Sequence, residues 1–126
     1  MATEIKKDVV LIIDDDNRNT FALQLTLKAK GYKFISTSSA QEGLDVLATQ
    51  SNVGIVLMDM MMPEMDGYEM LKIINSSNQY PKTAVIAVTA QAMSGDRERC
   101  IVAGATDYIA KPIDVDILME ILRKYM

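Results

Sequence analysis

The sequence predicts an α/β fold in which a doubly wound parallel sheet of five strands carries helices on both faces. Three observations support this. Short apolar runs of strand length alternate five times with stretches of helical spacing. Several runs, such as Val9 to Ile13, Ile55 to Met58 and Val85 to Val88, are continuously apolar, which suits strands covered on both sides. The connections are short, and alternation of this kind implies right-handed crossovers within one parallel sheet.

In chain order, Met1 to Lys7 reads as a polar lead and Val9 to Ile13 as the first strand. Asp14, Asp15 and Asp16 follow, and Asp16 or Asn17 can cap a helix that runs to about Lys30, where Gly31 ends it. Phe21, Leu25 and Ala29 recur every four residues, and Leu23 with Leu27 widens the apolar stripe. Lys33 to Thr37 is a mixed strand that suits a sheet edge. Ser39 caps a second helix with Ala40, Leu44, Leu47 and Ala48 on one face, and Ser51 to Gly54 turns into the central strand. That strand, Ile55 to Met58, ends abruptly in Asp59. Pro63 and Gly67 break the following loop, which reaches Met65 before a third helix to about Asn75. A polar connection with Pro81 leads to Ala84 to Val88, which ends in Thr89. Ser94 caps a weakly amphipathic fourth helix to about Ala103, stopped by Gly104. Asp107 to Ala110 is the fifth strand, ending in Lys111-Pro112, and Asp114 to Tyr125 the last helix.

The chain of 126 residues suits a single domain over 1–126, with no linker or repeat. Its net charge of -4 argues against direct nucleic-acid binding, which draws on a basic surface. No apolar run approaches membrane-spanning length and no signal-peptide core is present, so a cytoplasmic protein without membrane attachment is expected. The single cysteine, Cys100, allows no intrachain disulfide and reads as a packing thiol. The absence of histidine removes triads, His-ligated zinc and a phosphohistidine within this chain.

Function is expected where the strands end. In open α/β sheets ligands bind outside the carboxyl ends of the strands. There Asp14, Asp15 and Asp59 bring three carboxylates together, a costly arrangement without a compensating cation. A hard divalent ion such as Mg2+ suits such an oxygen site. Lys111 adds a point charge and Thr89 a hydroxyl, and a carboxylate can itself accept a phosphoryl group. The set therefore reads as phosphoryl transfer onto an aspartate.

These residues also carry a resemblance. Asp14-Asp15 after the first strand, Asp59 followed by MPEMDG, Thr89-Ala90 and Lys111-Pro112, in this order over about Val9 to Tyr125, resemble the receiver domain of two-component response regulators. The runs DDDNRN and TAQAMSGDRERC resemble receivers attached to hybrid sensor kinases. The resemblance implies the flavodoxin-like strand order and Asp59 as phosphoacceptor. Metal ligation falls to Asp14, Asp15, Asp59 and the Met61 carbonyl, with Asp14 acting partly through water. Thr89 and Lys111 contact the phosphoryl group, Tyr108 is the aromatic that changes rotamer, and Lys111-Pro112 is a cis peptide. It implies a signalling switch rather than an enzyme, one that promotes its own phosphoryl transfer and dephosphorylation. Its partners are a histidine kinase or histidine phosphotransfer protein, and a protein effector bound through the helix 4–strand 5–helix 5 face. No output domain is expected in this chain. Met61 and Gln91 occupy positions that influence the lifetime of the phosphoryl group in this family.

Rival readings fit less well. An aspartate-nucleophile hydrolase of the haloacid dehalogenase type wants a second carboxylate two residues after the first, where Met61 stands. A flavin module wants a hydroxyl-rich phosphate loop after the first strand, where this chain has three aspartates. An adaptor that is never phosphorylated has no use for an intact acidic pocket. Met58, Met60, Met61, Met62 and Met65 admit a copper(I) site, although adaptable packing explains them more simply.

Overall fold

The computed structural model describes residues 7–63, 66–76, 83–90 and 95–126. The strands are β1 (Val9–Ile13), β2 (Lys33–Thr37), β3 (Val53–Asp59), β4 (Ala84–Thr89) and β5 (Asp107–Ala110). The helices are α1 (Asn17–Ala29), α2 (Ala40–Thr49), α3 (Gly67–Ser76), α4 (Asp96–Val102) and α5 (Val115–Tyr125). All strand pairings are parallel, in the order β2-β1-β3-β4-β5. This is the flavodoxin-like order, in which the winding reverses between β1 and β3 and opens a crevice at their carboxyl ends.

Two cores follow from the alternation of side chains along the strands. Leu11, Ile13, Val56, Met58, Val85 and Ala87 face α2, α3 and α4, while Val10, Ile12, Ile55, Leu57, Ile86 and Val88 face α1 and α5. β1 and β3 are buried along their whole length, whereas β2 is half-exposed, as its edge position requires.

The helix starts have local causes. The Asp16 carboxylate accepts from the amides of Arg18 and Asn19 to cap α1, Ser39 accepts from Glu42 to cap α2, and Asp114 accepts from Asp116 and Ile117 to cap α5. For α4 the capping position is Gly95, with no side-chain cap. Ser94, expected to cap it, lies outside the described residues, as do Met65, Pro81 and Gln91.

Two expectations are corrected. The buried face of α1 is Thr20, Leu23 and Leu27, while Phe21 is 63% and Leu25 55% exposed. The second correction lengthens β3, which begins at Val53 where a turn through Gly54 was expected. Gly54 serves a close approach: a side chain there would collide with the backbone carbonyl of Lys7. Met58, Met60 and Met62 are buried in the core, which supports packing over a thioether metal site. Among the described residues no helix is long and apolar enough to cross a membrane.

Candidate functional site

Strand register builds the site. Ile13 pairs with Met58, so Asp14 leaves β1 beside Asp59 at the end of β3. Asp59 pairs with Val88, and Thr89 with Ala110, which brings Thr89 and then Lys111 to the same edge. Backbone bonds tie the ends together: Asp14 N donates to Thr37 O (3.1 Å), Met60 N to Val88 O (3.0 Å) and Lys111 N to Thr89 O (2.7 Å).

Asp14 and Asp59 are buried, whereas Asp15 is exposed, and one carboxylate oxygen from each lies within 4.8 Å of the others. Lys111 Nζ lies 3.3 Å from Asp14 Oδ2 and 3.5 Å from Asp59 Oδ2. Both distances exceed a good N–H···O bond, so the ammonium is a bridging charge rather than a locked donor. Hard oxygens in a cluster with one face open to water fit a magnesium ion, which retains part of its hydration.

Asp59 is held by its own loop. Met61 N donates to Asp59 Oδ1 at 2.9 Å, Gly67 N donates to Met60 O at 3.3 Å, and Met61 forms a bridge with Asp66. Gly67 is required here because a Cβ would come 2.6 Å from Met60 Cα. The loop leaves the Met61 side chain outside, 65% exposed.

The electrostatics follow from crowding. Burial lifts the Asp59 carboxyl above its ordinary range; the Met61 amide opposes this, Asp14 adds to it, and Lys111 opposes it. For Lys111, burial pulls the ammonium downward, but Asp14 and Asp59 outweigh it and leave the group above its ordinary value. The site is poised for a second cation.

Asp14, Asp15, Asp59 and Lys111 thus meet, and Thr89, itself buried, reaches the same edge. Tyr108 does not join them. It pairs with Ala87, is half-buried and packs on the core facing α2, α3 and α4. Thr89 shares that face by strand alternation, and a cleft of about 580 Å³ opens beside it towards Arg99 and Cys100 of α4. Arg99 lies over the Tyr68 ring, 5.2 Å from its centroid. The Lys111-Pro112 peptide is cis.

Asn19 belongs to the site but is not apparent from the sequence. Its Nδ2 donates to Asp14 Oδ2 at 2.7 Å. The available signal was its place in the first turn of a helix capped by Asp16, from which a short amide can reach back over the strand end.

Residues 10–123 match the family model of the response regulator receiver domain. The polar-differentiation response regulator DivK of Brucella ovis is 38% identical over 117 residues, covering 93% of this chain and 94% of that protein. Among solved structures, the receiver domain of the Francisella response regulator 1452 superposes with a TM-score of 0.85 at 26% identity, covering 94% of this chain and 95% of that one. The receiver domain of the sensor histidine kinase PA1611 from Pseudomonas aeruginosa, solved with a magnesium ion coordinated in its active-site cleft, gives 0.83 at 30% identity over 94% and 96%. The agreement extends over almost the whole chain, and the chain belongs to the response regulator receiver domain family, whose function is phosphorelay signalling.

Proposed function

We propose that Asp59 accepts a phosphoryl group from a partner's phosphohistidine, with Mg2+ held by Asp14, Asp15, Asp59 and the Met61 carbonyl. The observation that carries this reading is the meeting of Asp59 with two further carboxylates and a shared lysine at one sheet edge. In the transfer, a carboxylate oxygen of Asp59 bonds to phosphorus as the P–N bond breaks, and the imidazole leaves with the electron pair. Lys111 turns from the carboxylates to a phosphoryl oxygen, and the Thr89 hydroxyl donates to another. The metal supplies positive charge to the phosphoryl oxygens. The magnesium in the cleft of the PA1611 receiver supports the metal assignment.

Receiver domains are signalling switches that act with histidine kinases or phosphotransfer proteins, rather than classical enzymes. For this chain we infer one receiver domain over 1–126, a cytoplasmic setting, no direct contact with nucleic acid, and promotion of its own phosphoryl transfer and dephosphorylation. A protein effector reads the face formed by α4, β5 and α5. Thr89 and Tyr108 carry the signal to that face: Thr89 moves towards the phosphoryl group and Tyr108 turns into the space it leaves. Phosphorylation must favour the second conformation, by about 5 kcal/mol for a full population swing.

Phosphoramidate and Mg2+ test the transfer, because its P–N bond matches that of phosphohistidine. Labelling should be lost in excess chelator, and Asp15→Asn should need more than about tenfold higher Mg2+ for half-maximal rate, as expected from the loss of a charged ligand. Equal rates with and without chelator contradict the metal assignment. Thr89→Val tests the switch. It should still bind beryllium fluoride at Asp59, while amide NMR shifts at Tyr108 and α4 shrink to less than about half of those in the wild-type chain. Shifts that spread equally far in both proteins contradict the Thr89–Tyr108 route.

A further inference from the structure

Asp14 is a buried carboxylate with three donors already in place. Asp16 N donates to Oδ1 at 2.8 Å, Asn19 Nδ2 donates to Oδ2 at 2.7 Å, and Lys111 Nζ lies 3.3 Å from that same Oδ2. The Asn19 bond is the shortest of the three. Only the NH2 end of an amide can face a carboxylate, so its orientation follows from the chemistry. The backbone of Asn19 is set by the cap of α1, since the Asp16 carboxylate accepts from Arg18 N at 3.0 Å and from Asn19 N at 3.4 Å.

We propose that Asn19 is a positioning residue for phosphoryl transfer: its amide holds the Asp14 carboxylate and limits how tightly Asp14 captures Lys111. The inference rests on Asp59 being the phosphoacceptor. Two donors share Asp14 Oδ2. The short bond from Asn19 occupies that oxygen without adding charge, and Lys111 stands off at 3.3 Å instead of the roughly 2.8 Å of a tight ion pair. The ammonium is thereby shared almost evenly with Asp59 and can turn to an incoming phosphoryl oxygen. Without the amide, Asp14 draws Lys111 towards β1 and away from the reacting carboxylate. Asn19 touches no reacting atom; it acts through Asp14 and Lys111.

The test compares Asn19→Ala and Asn19→Asp, each in the wild-type and Asp14→Asn backgrounds, with acetyl phosphate at saturating Mg2+. In the wild-type background Asn19→Ala should lower the maximal labelling rate about tenfold, the effect of one hydrogen bond to a charged group. The acetyl phosphate concentration for half-maximal rate should stay within about twofold, because Asn19 does not bind the donor. Asn19→Asp, which keeps the shape and loses the donor, should be impaired at least as much. With Asp14→Asn in place, removing Asn19 should cost nothing further. As a readout independent of turnover, the Asn19 side-chain amide signals should shift in Asp14→Asn. Equal losses in both backgrounds, wild-type rates in Asn19→Asp, or unmoved amide signals each overturn the proposal. A labelled wild-type chain with an unaffected Asn19→Ala overturns it alone, whereas a wild-type chain that takes no label overturns the phosphoacceptor reading as well.

Discussion

In Asp59→Asn, labelling by acetyl phosphate should fall below detection, and the metal-free variant should be more stable than the wild-type chain. The second effect comes from the same crowding that makes the site reactive. Burial raises the Asp59 carboxyl above its ordinary value of 3.8, with Asp14 adding to the rise against the Met61 amide and Lys111. A carboxyl with a higher pKa in the folded state binds more protons folded than unfolded, so stability falls as pH rises from 3.8 through the folded value. That cost is complete once pH has passed the folded value. Asparagine removes it while keeping an acceptor for Met61 N. The gain should be about 1 kcal/mol, or about 4 °C in melting temperature, measured by thermal unfolding in chelator. Added Mg2+ should close most of the gap by stabilising the wild-type chain. A variant that melts at or below the wild-type temperature, at every pH from 5 to 8, contradicts the electrostatic reading.

Lys111→Met should lose at least about a hundredfold in labelling rate, as expected for removing a cation aimed at the transferred group. The substitution keeps most of the packing volume and deletes the charge that Asp14 and Asp59 share. Three clustered carboxylates then lack their nearest cation, and the metal-free protein should lose about 2 kcal/mol. The sign can be checked by pH. Asp14 and Asp59 raise the Lys111 pKa against the opposing pull of burial, so its contribution persists until pH rises past 10.5. The stability difference between wild type and Lys111→Met should therefore hold across neutral pH and narrow only in alkali, or in acid where the carboxylates are protonated. Labelling within a few-fold of wild type contradicts the role given to Lys111.

Much of this architecture is legible in the residues, for identifiable reasons. An apolar run cut off by a carboxylate, as at Ile13–Asp14 and Met58–Asp59, marks a buried strand and its mouth together, because no other placement keeps the charge near water. On α2 and α5 polar residues oppose an apolar stripe, and the buried faces are readable in their centres, where Ala40, Leu44 and Leu47, and Leu118, Ile121 and Leu122, are buried. They are not readable at their margins, where Ala48 and Ile117 are exposed and Met119 is buried instead. On α1 that contrast is missing. Leu23 and Leu27 lie on one stripe, Phe21 and Leu25 on another roughly 160° away, and only packing against the sheet decides between them. The length of β3 is hidden by Gly54, which resembles a turn residue in sequence yet is needed for contact with Lys7. Within the site, charged groups at strand ends are visible because topology gathers them. Asn19 is not, because its role depends on the direction of one amide from the first turn of a helix.

Mapping the phosphoryl group itself provides the most direct test of Asp59. The wild-type chain is incubated with acetyl phosphate and Mg2+, the acyl phosphate is trapped by borohydride reduction, and the modified peptide is sequenced by mass spectrometry. The modification should fall on Asp59 alone, and it should vanish in chelator and in Asp59→Asn. A phosphoryl group recovered on Asp14, Asp15 or any other residue of the wild-type chain, or incorporated undiminished into Asp59→Asn, contradicts the assignment.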